Sequence, residues 1–382
     1  MTTQTRATAE KMESFYVEFA KDAFRMRDSR VEDDRNRVVS PVSASMLLGM
    51  YANGASAKDR EQIVGYLGVD DVESVNELSA MLMRELPAVD KRSELKLTNV
   101  LWTLPELTLR QSFESVIGGN YGAHIQKADF RTPATAQLMI NEWIARETNG
   151  GIRNYLQDLS DKTHFLMLNT LSFQSAWGGD YFDERITAPG DFYGVSSAGP
   201  GAEPSVSKVE MMRSDVVETK YLKDSDFEYV TLDFGNGAYE IRFVVPCEGL
   251  DFDRAMDLLT KERYDGLVAQ AHSDMVMVTV PKFEIDGRVD LVDVLASRGV
   301  DISLFRDNNM FNETLDNALL LCHQGVRFAM DEKGAKVVSA TVSSDAELLP
   351  VGREVNINRP FMFFVTERST NACLIAGRVL GF

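Results

Sequence analysis

Four histidines (His124, His164, His272, His323) and three cysteines (Cys247, Cys322, Cys373) are the side chains best suited to general-base, nucleophilic or metal chemistry. None stands at a spacing that such chemistry uses. There is no His-Glu-x-x-His pair to hold zinc on one helix face. Nor is there a Gly-x-Ser-x-Gly turn to lift a serine nucleophile, since "GVSSAG" (194–199) has the wrong spacing. Phosphate-cradling glycine loops are missing, and "GGNYG" (118–122) reads as a helix end. Cysteines without a CxxC pair imply neither a disulfide framework nor a zinc site, but three buried thiols. One stretch invites chemistry as a target: "EKGAKVVSATVSSDAELLP" (332–350). It is strand-like in composition but lies between two firm strand candidates, "VRFAM" (326–330) and "PFMFFVTE" (360–367). A connection of that length inside a compact protein is either functional or disordered.

The elements around it must hold it out. At 382 residues, 44% apolar and 26% charged, the chain is an ordinary soluble globular protein. Length alone would suggest two or three domains. The first third is helical by periodicity, with Met12, Phe15, Phe19 and Phe24 on one face and helix starts at Ser40-Pro41 and Ser56. "ELKLTNVLWTL" (94–104) reads as a strand, "TPATAQLMINEWIARETNGG" (132–151) as a helix, and "HFLMLNTLSFQSAW" (164–177) as a buried central strand. "APGDFYGVSSAGPGAEPSVS" (188–207) reads as a surface loop. Strands then dominate, with a turn at Gly235-Asn236-Gly237 and a short helix after residue 290. No linker or repeat divides the chain. The expectation is one α+β domain over 1–382, N-terminal helices packed on a large central mixed sheet, with smaller sheets beside it.

A net charge of −18 argues against nucleic-acid binding. No apolar run approaches the ~18 residues needed to cross a membrane. The opening residues lack a basic-then-apolar signal pattern, so the compartment stays open: intracellular, or extracellular after removal of a signal. No metal and no cofactor is implied.

Several segments, in order and over nearly the whole chain, resemble the serpin family. They are "NRVVSPVSASMLLGMYANGA", "LTNVLW", "INEWIARETNGGI" with "LMLNTLSFQSAW", "VTVPKFEIDGRVDLVDVLASRGV" and "NINRPFMFFVTERSTNACLIAGRV", with "DEKG" (331–334) opening the reactive loop. The resemblance implies an exposed C-terminal reactive loop, about 332–356, offered as bait to a serine protease. The protease forms an acyl-enzyme. The cut loop then enters the central sheet as a new strand, the protease is carried along, and ester hydrolysis stalls as its oxyanion donors are displaced. The implied partner is a serine protease held covalently by a monomeric inhibitor. The segment Asp71–Pro87 has no basic cluster, so heparin activation is not expected.

By the same resemblance Glu332, Gly334, Ala335, Val337 and Ser339 belong to the hinge that enters first. Ser40, Ser43, Asn169 and Gln324 close the gate, and Trp177 stands near the top of the sheet. Plainer readings of Ser40-Pro41 as a helix cap and of Asn169 as a core amide are compatible with the gate. His323, offset by one from Gln324, faces away. The set Ala335, Val337, Ser339, Thr341, Ser343 is uncharged and alternates, as a strand entering a sheet interior requires. Lys336 falls in the other set.

Counting forward from the hinge places the bait at Leu348. Counting back from Pro360 gives Leu349, so the loop is one residue longer than usual. Rigid Pro350 disfavours a cut at Leu349-Pro350, which leaves Leu348-Leu349. Leucine there suits chymotrypsin-, elastase- or subtilisin-like pockets. A cut after Glu347, or a papain-like cysteine protease as target, is the minor alternative. The hinge departs from the family's usual threonine and alanines, and β-branched Val337 and Val338 are stiff. Asp345 has the buried parity. These departures favour the rival expectation of a non-inhibitory serpin-like binding or chaperone protein.

Overall fold

A computed structural model of the chain describes residues 1–26, 36–148, 150–157, 159–196, 203–300, 302, 304–305, 309–313, 315, 318–335 and 352–382. Helix α1 (Thr3–Arg25) is capped by Thr2 and buries Met12, Phe15, Phe19 and Phe24, as their spacing predicts. Strand β1 (Arg37–Val39) leads into α2 (Pro41–Gly54). Ser40 caps α2 by accepting from the Ser43 N–H, and Pro41 takes a first-turn place whose N–H would have no helical partner. Because α2 is buried on nearly every side, its sequence shows no apolar stripe. Helices α3 (Ala57–Leu67) and α4 (Val72–Glu85) are capped by Ser56 and Asp71.

Next come β2 (Ser93–Thr103), α5 (Gln111–Tyr121), β3 (His124–Lys127), α6 (Pro133–Glu147) and the long β4 (Thr163–Ala176). Gly122, left-handed at φ 58°, ends α5 as the "GGNYG" reading requires. The two ends of the stretch read as a surface loop are instead strand: β5 (Ala188–Gly194) and the start of its partner β6 (Ser205–Arg213). Gly, Pro and Ser are breakers only when nothing pairs with them. Here Phe192 anchors β5 in the core, and the neighbouring strand supplies the hydrogen bonds.

The remainder is β7 (Val217–Lys223), β8 (Phe227–Phe234), β9 (Tyr239–Pro246), α7 (Phe252–Leu258), α8 (Lys261–Gln270), β10 (His272–Pro281), β11 (Phe283–Asp290) and α9 (Leu291–Ser297). It closes with β12 (Leu304–Phe305), β13 (Ala318–Asp331), β14 (Gly334–Ala335), β15 (Arg353–Asn356), β16 (Phe361–Glu367) and β17 (Cys373–Val379).

These strands form two sheets. The seven-stranded mixed sheet runs β11-β13-β14-β4-β2-β3, with β12 beside β13. The other strands, expected as smaller sheets, join in one ten-stranded sheet, nine along a path from β1 to β5 and β15 beside β10. The two are bound through aromatic rings: Phe328 of β13 stacks on Phe363 of β16 at 5.0 Å, and Phe283 of β11 lies 5.6 Å from Phe363. Cys322 and Cys373 are buried, but Cys247 is half-exposed, so the expectation of three buried thiols fails for one. Among the described residues no helix is long and apolar enough to cross a membrane.

Candidate functional site

The site is the seam between β13 and β4. Over Leu319–Val326 these strands pair directly and in parallel, Gln324 opposite Asn169. Higher up they separate, and β14 lies between them, antiparallel to both. Ala335 faces Met330 on one side and Ser175 on the other. From Leu320 onward the offset between β13 and β4 is the same where they touch and where β14 divides them. The gap is therefore already in register for a strand.

At the top of the seam the hinge is tied down. The Trp177 indole N–H donates to the Asp331 carbonyl at 2.9 Å, and its backbone N–H to Lys333 O at 3.2 Å. The indole stacks on Phe234 at 4.8 Å. Lys282 Nζ donates to Glu332 Oε2 at 2.8 Å, and Lys333 lies 3.3 Å from Glu184. Burial alone would raise the Glu332 carboxyl, but the Lys282 hydrogen bond, with lesser help from its own backbone and Thr187, holds it below its ordinary value. Gly334 sits at φ 129°, and a Cβ there would lie 2.2 Å from Ser175 O, so only glycine can make this turn into the gap. Ala335 is 1% exposed, facing inward as its parity predicted.

Asp90 braces the same end. It accepts from Ser93 Oγ at 2.7 Å, Arg92 N at 2.8 Å and Asn236 N at 3.0 Å, while Ser93 Oγ meets Ser175 Oγ of β4 at 2.7 Å. Burial opposes the Asp90 charge, yet these hydrogen bonds hold its carboxyl below the usual range.

Halfway down, the seam is shut by neutral groups. Ser40 N donates to Gln324 Oε1 at 2.8 Å, and Gln324 Nε2 returns a hydrogen bond to Ser40 O. Ser40 Oγ donates to Ser43 Oγ at 2.8 Å. Asn169 Nδ2 donates to Asn99 Oδ1 at 2.8 Å, and Asn99 Nδ2 to Tyr121 O at 2.8 Å. Ser40, Ser43, Asn99 and Asn169 are all 0% exposed.

Sequence reasoning set Ser40, Ser43, Asn169 and Gln324 at a gate and Trp177 near the top of the sheet. The structure brings Ser40, Ser43, Asn169 and Gln324 together at mid-sheet and puts Trp177 with the hinge at the top. Val337, Ser339, Leu348 and Leu349 lie outside the described residues, as do Lys336, Thr341, Ser343 and Asp345. His323 faces away from the gate, 6.2 Å from the Tyr155 ring, with Nε2 3.4 Å from Asp290 Oδ2. Asn99, Lys282 and Asp90 were missed. Only Asn99 carried a signal, being an amide amid the apolar run of β2.

A second feature lies elsewhere. A cavity of about 220 Å³ opens between α1, α8 and strands β9, β16 and β17. Arg242, Tyr264 and Asn371 converge on it, with Arg242 Nη2 3.0 Å from Asn371 Oδ1 and Nη1 3.3 Å from the Tyr264 hydroxyl. Burial works against the Arg242 charge, but Tyr264, Tyr229 and Glu240 outweigh it and hold the guanidinium above its ordinary value. In the wall, burial pushes the Cys373 thiol up to about 12.

A mixed sheet whose β13 and β4 pair at mid-sheet and part higher up around the short β14 defines a class of protein. Residues 16–381 match the family described as "Serpin (serine protease inhibitor)", and the chain belongs to that family. Thyroxine-binding globulin of Sus scrofa is 26% identical over 99% of this chain and 91% of its own length. A serine protease inhibitor of Cyanea capillata is 25% identical over 91% of this chain and 92% of its own. Tengpin, a thermophilic serpin solved in the native state, superposes with a TM-score of 0.85 at 23% identity, covering 98% of this chain and 94% of tengpin; at that identity the likeness concerns the fold. The relatives thus mix inhibitors with hormone-binding globulins.

Proposed function

We propose that the chain is a suicide-substrate inhibitor of serine proteases with apolar specificity pockets, using Leu348-Leu349 as bait. The observation that carries this reading is β14, seated between β13 and β4 in a register common to both. Continued in that register, a strand drawn from the cut loop would set Val337 opposite Phe328 and Phe173, and Ser339 opposite Val326 and Leu171. Thr341 would fall between Gln324 and Asn169, the gate itself. The Asn169 side-chain oxygen Oδ1 accepts no hydrogen bond from any described residue, and the Thr341 hydroxyl is a donor that would reach it.

The departures from the family's hinge also find places. Lys336 would lie on the outer face beside Ala329 and Gln174, where a small cavity stands beneath Gly151 and Ile152. Asp345 would meet Leu320 and Phe165, both buried, so the charge opposes the last step of insertion.

The test is to mix the protein with chymotrypsin, an elastase and a subtilisin. Expected is an SDS-stable band at the summed mass and a released peptide beginning at Leu349. Cleavage with neither that band nor a gain in melting temperature would overturn the reading.

The α1/α8 cavity favours a second reading, a carrier of a small amphipathic ligand. It joins an apolar wall (Val17, Val268, Phe364) to a buried cation. Two of the relatives are named for binding thyroxine and corticosteroid. Calorimetric titration with thyroxine and cortisol tests it; no heat at micromolar ligand would remove it.

A further inference from the structure

Insertion needs the seam opened by one strand spacing, about 4.8 Å, and a strap crosses it. Helix α6 is fixed to the β2–β3 bank. There Trp143 meets Trp102 edge-on at 6.1 Å and His124 at 6.4 Å, and Glu147 pairs with Lys96 at 3.2 Å. The residues that follow α6 are fixed to the opposite bank, β11 and β13. Arg327 Nη1 donates to Gly151 O at 2.9 Å, and Arg288 Nη2 to Asn154 O at 3.2 Å. The Arg288 guanidinium also covers the Tyr155 ring at 4.9 Å. Tyr155 can lie flat on β13 only because residue 325 is glycine: a Cβ there would stand 2.9 Å from its ring.

Helix and following segment cannot simply slide apart. Asn141 binds Leu156 twice, Nδ2 to O at 3.0 Å and Oδ1 from N at 2.8 Å. The strap is one body with feet on both banks, so opening the seam must break one foot. The β2–β3 foot is two tryptophans at 5% and 2% exposure, which resist separation through buried apolar area. The other joins two arginine contacts to carbonyls, each replaceable by water as it breaks, to the single buried ring of Tyr155, which the Arg288 guanidinium covers.

We propose that Arg288 and Arg327 are the latch that sets how fast the seam opens, acting on loop insertion by positioning the strap rather than by touching the loop. This rests on the inhibitory reading. Rapid cleavage by excess subtilisin, followed by tryptophan fluorescence and by melting temperature, separates the two claims. Arg288→Ala removes a cation–π contact and a hydrogen bond, so insertion after cleavage should run about tenfold faster. Arg288→Lys, which keeps a cation over Tyr155, should return most of the wild-type rate. Arg288→Met, which preserves the covering stem, serves if the alanine variant folds poorly, and should match the faster rate. Cleavage itself should be unchanged in all three. Insertion at the wild-type rate in the alanine and methionine variants would overturn the latch while leaving inhibition intact. A wild-type protein that is cleaved without gaining thermal stability would overturn the inhibitory reading, and the latch with it.

Discussion

The two ends of the described seam are held by opposite kinds of chemistry. At the top, where β14 has entered, the ties are charges and main-chain bonds: Lys282 to Glu332, Lys333 to Glu184, Asp90 to three donors, and Trp177 to two carbonyls. At mid-sheet, where β13 still touches β4, the ties are amides and hydroxyls only: Gln324, Ser40, Ser43, Asn169 and Asn99. A partly wet ion pair can loosen and re-form as its groups trade protein for water. A dry amide pair has no such substitute, so breaking it leaves orphaned polar atoms. Under the proposed insertion the top would admit a strand, and the middle would refuse one until something replaced its bonds.

The largest effect is expected where that refusal is removed. Gln324→Leu leaves the Ser40 N–H without its partner, while the Ser40 C=O keeps its bond from Ala44 N at 3.0 Å, a loss of about 1–3 kcal/mol for one buried orphan. Thermal unfolding should show it, and an unchanged melting temperature would deny Gln324 its role. Glu332→Gln at the top should be milder, about 1 kcal/mol, because Lys282 is half-exposed and regains water. Equal losses at the two sites would erase the contrast.

Acid should separate the ends without mutation. Glu332 and Asp90 have folded-state values below their unfolded ones, so their contribution is present above the unfolded value near 4. It is lost as pH falls through the lower folded value. The gate hydrogen bonds contain no titrating group. Trp177 fluorescence should therefore shift as pH falls below about 4, before far-UV signal is lost, and Glu332→Gln should shrink the shift. A shift that coincides with global unfolding would refute this. An effect of similar size is expected for Trp177→Phe: an aromatic ring remains against Phe234, one hydrogen bond to Asp331 goes, and about 1 kcal/mol of stability goes with it.

Much of this was legible in the chain. Ser40-Pro41 declared the start of α2 because capping is local, settled by one hydroxyl and one missing N–H. The inward parity of Ala335 followed from the two-residue period of a strand. The β5–β6 pairing was not legible, since Gly190 and Pro189 signal a loop until a partner strand is known. Nor was Lys282, which lies 50 residues from Glu332 and is an ordinary surface lysine by sequence.

What the sequence determined by itself was therefore everything set by near neighbours: caps, periods, the alternation of the loop, and the family pattern they compose. What only the tertiary structure decided was which distant groups meet. It set Gln324 against the backbone of Ser40, Trp177 against the Asp331 and Lys333 carbonyls, and the strap with feet on both banks. Those contacts depend on the register and packing of strands far apart in the chain. A one-residue slip would leave every local signal intact and turn each of these side chains to the other face.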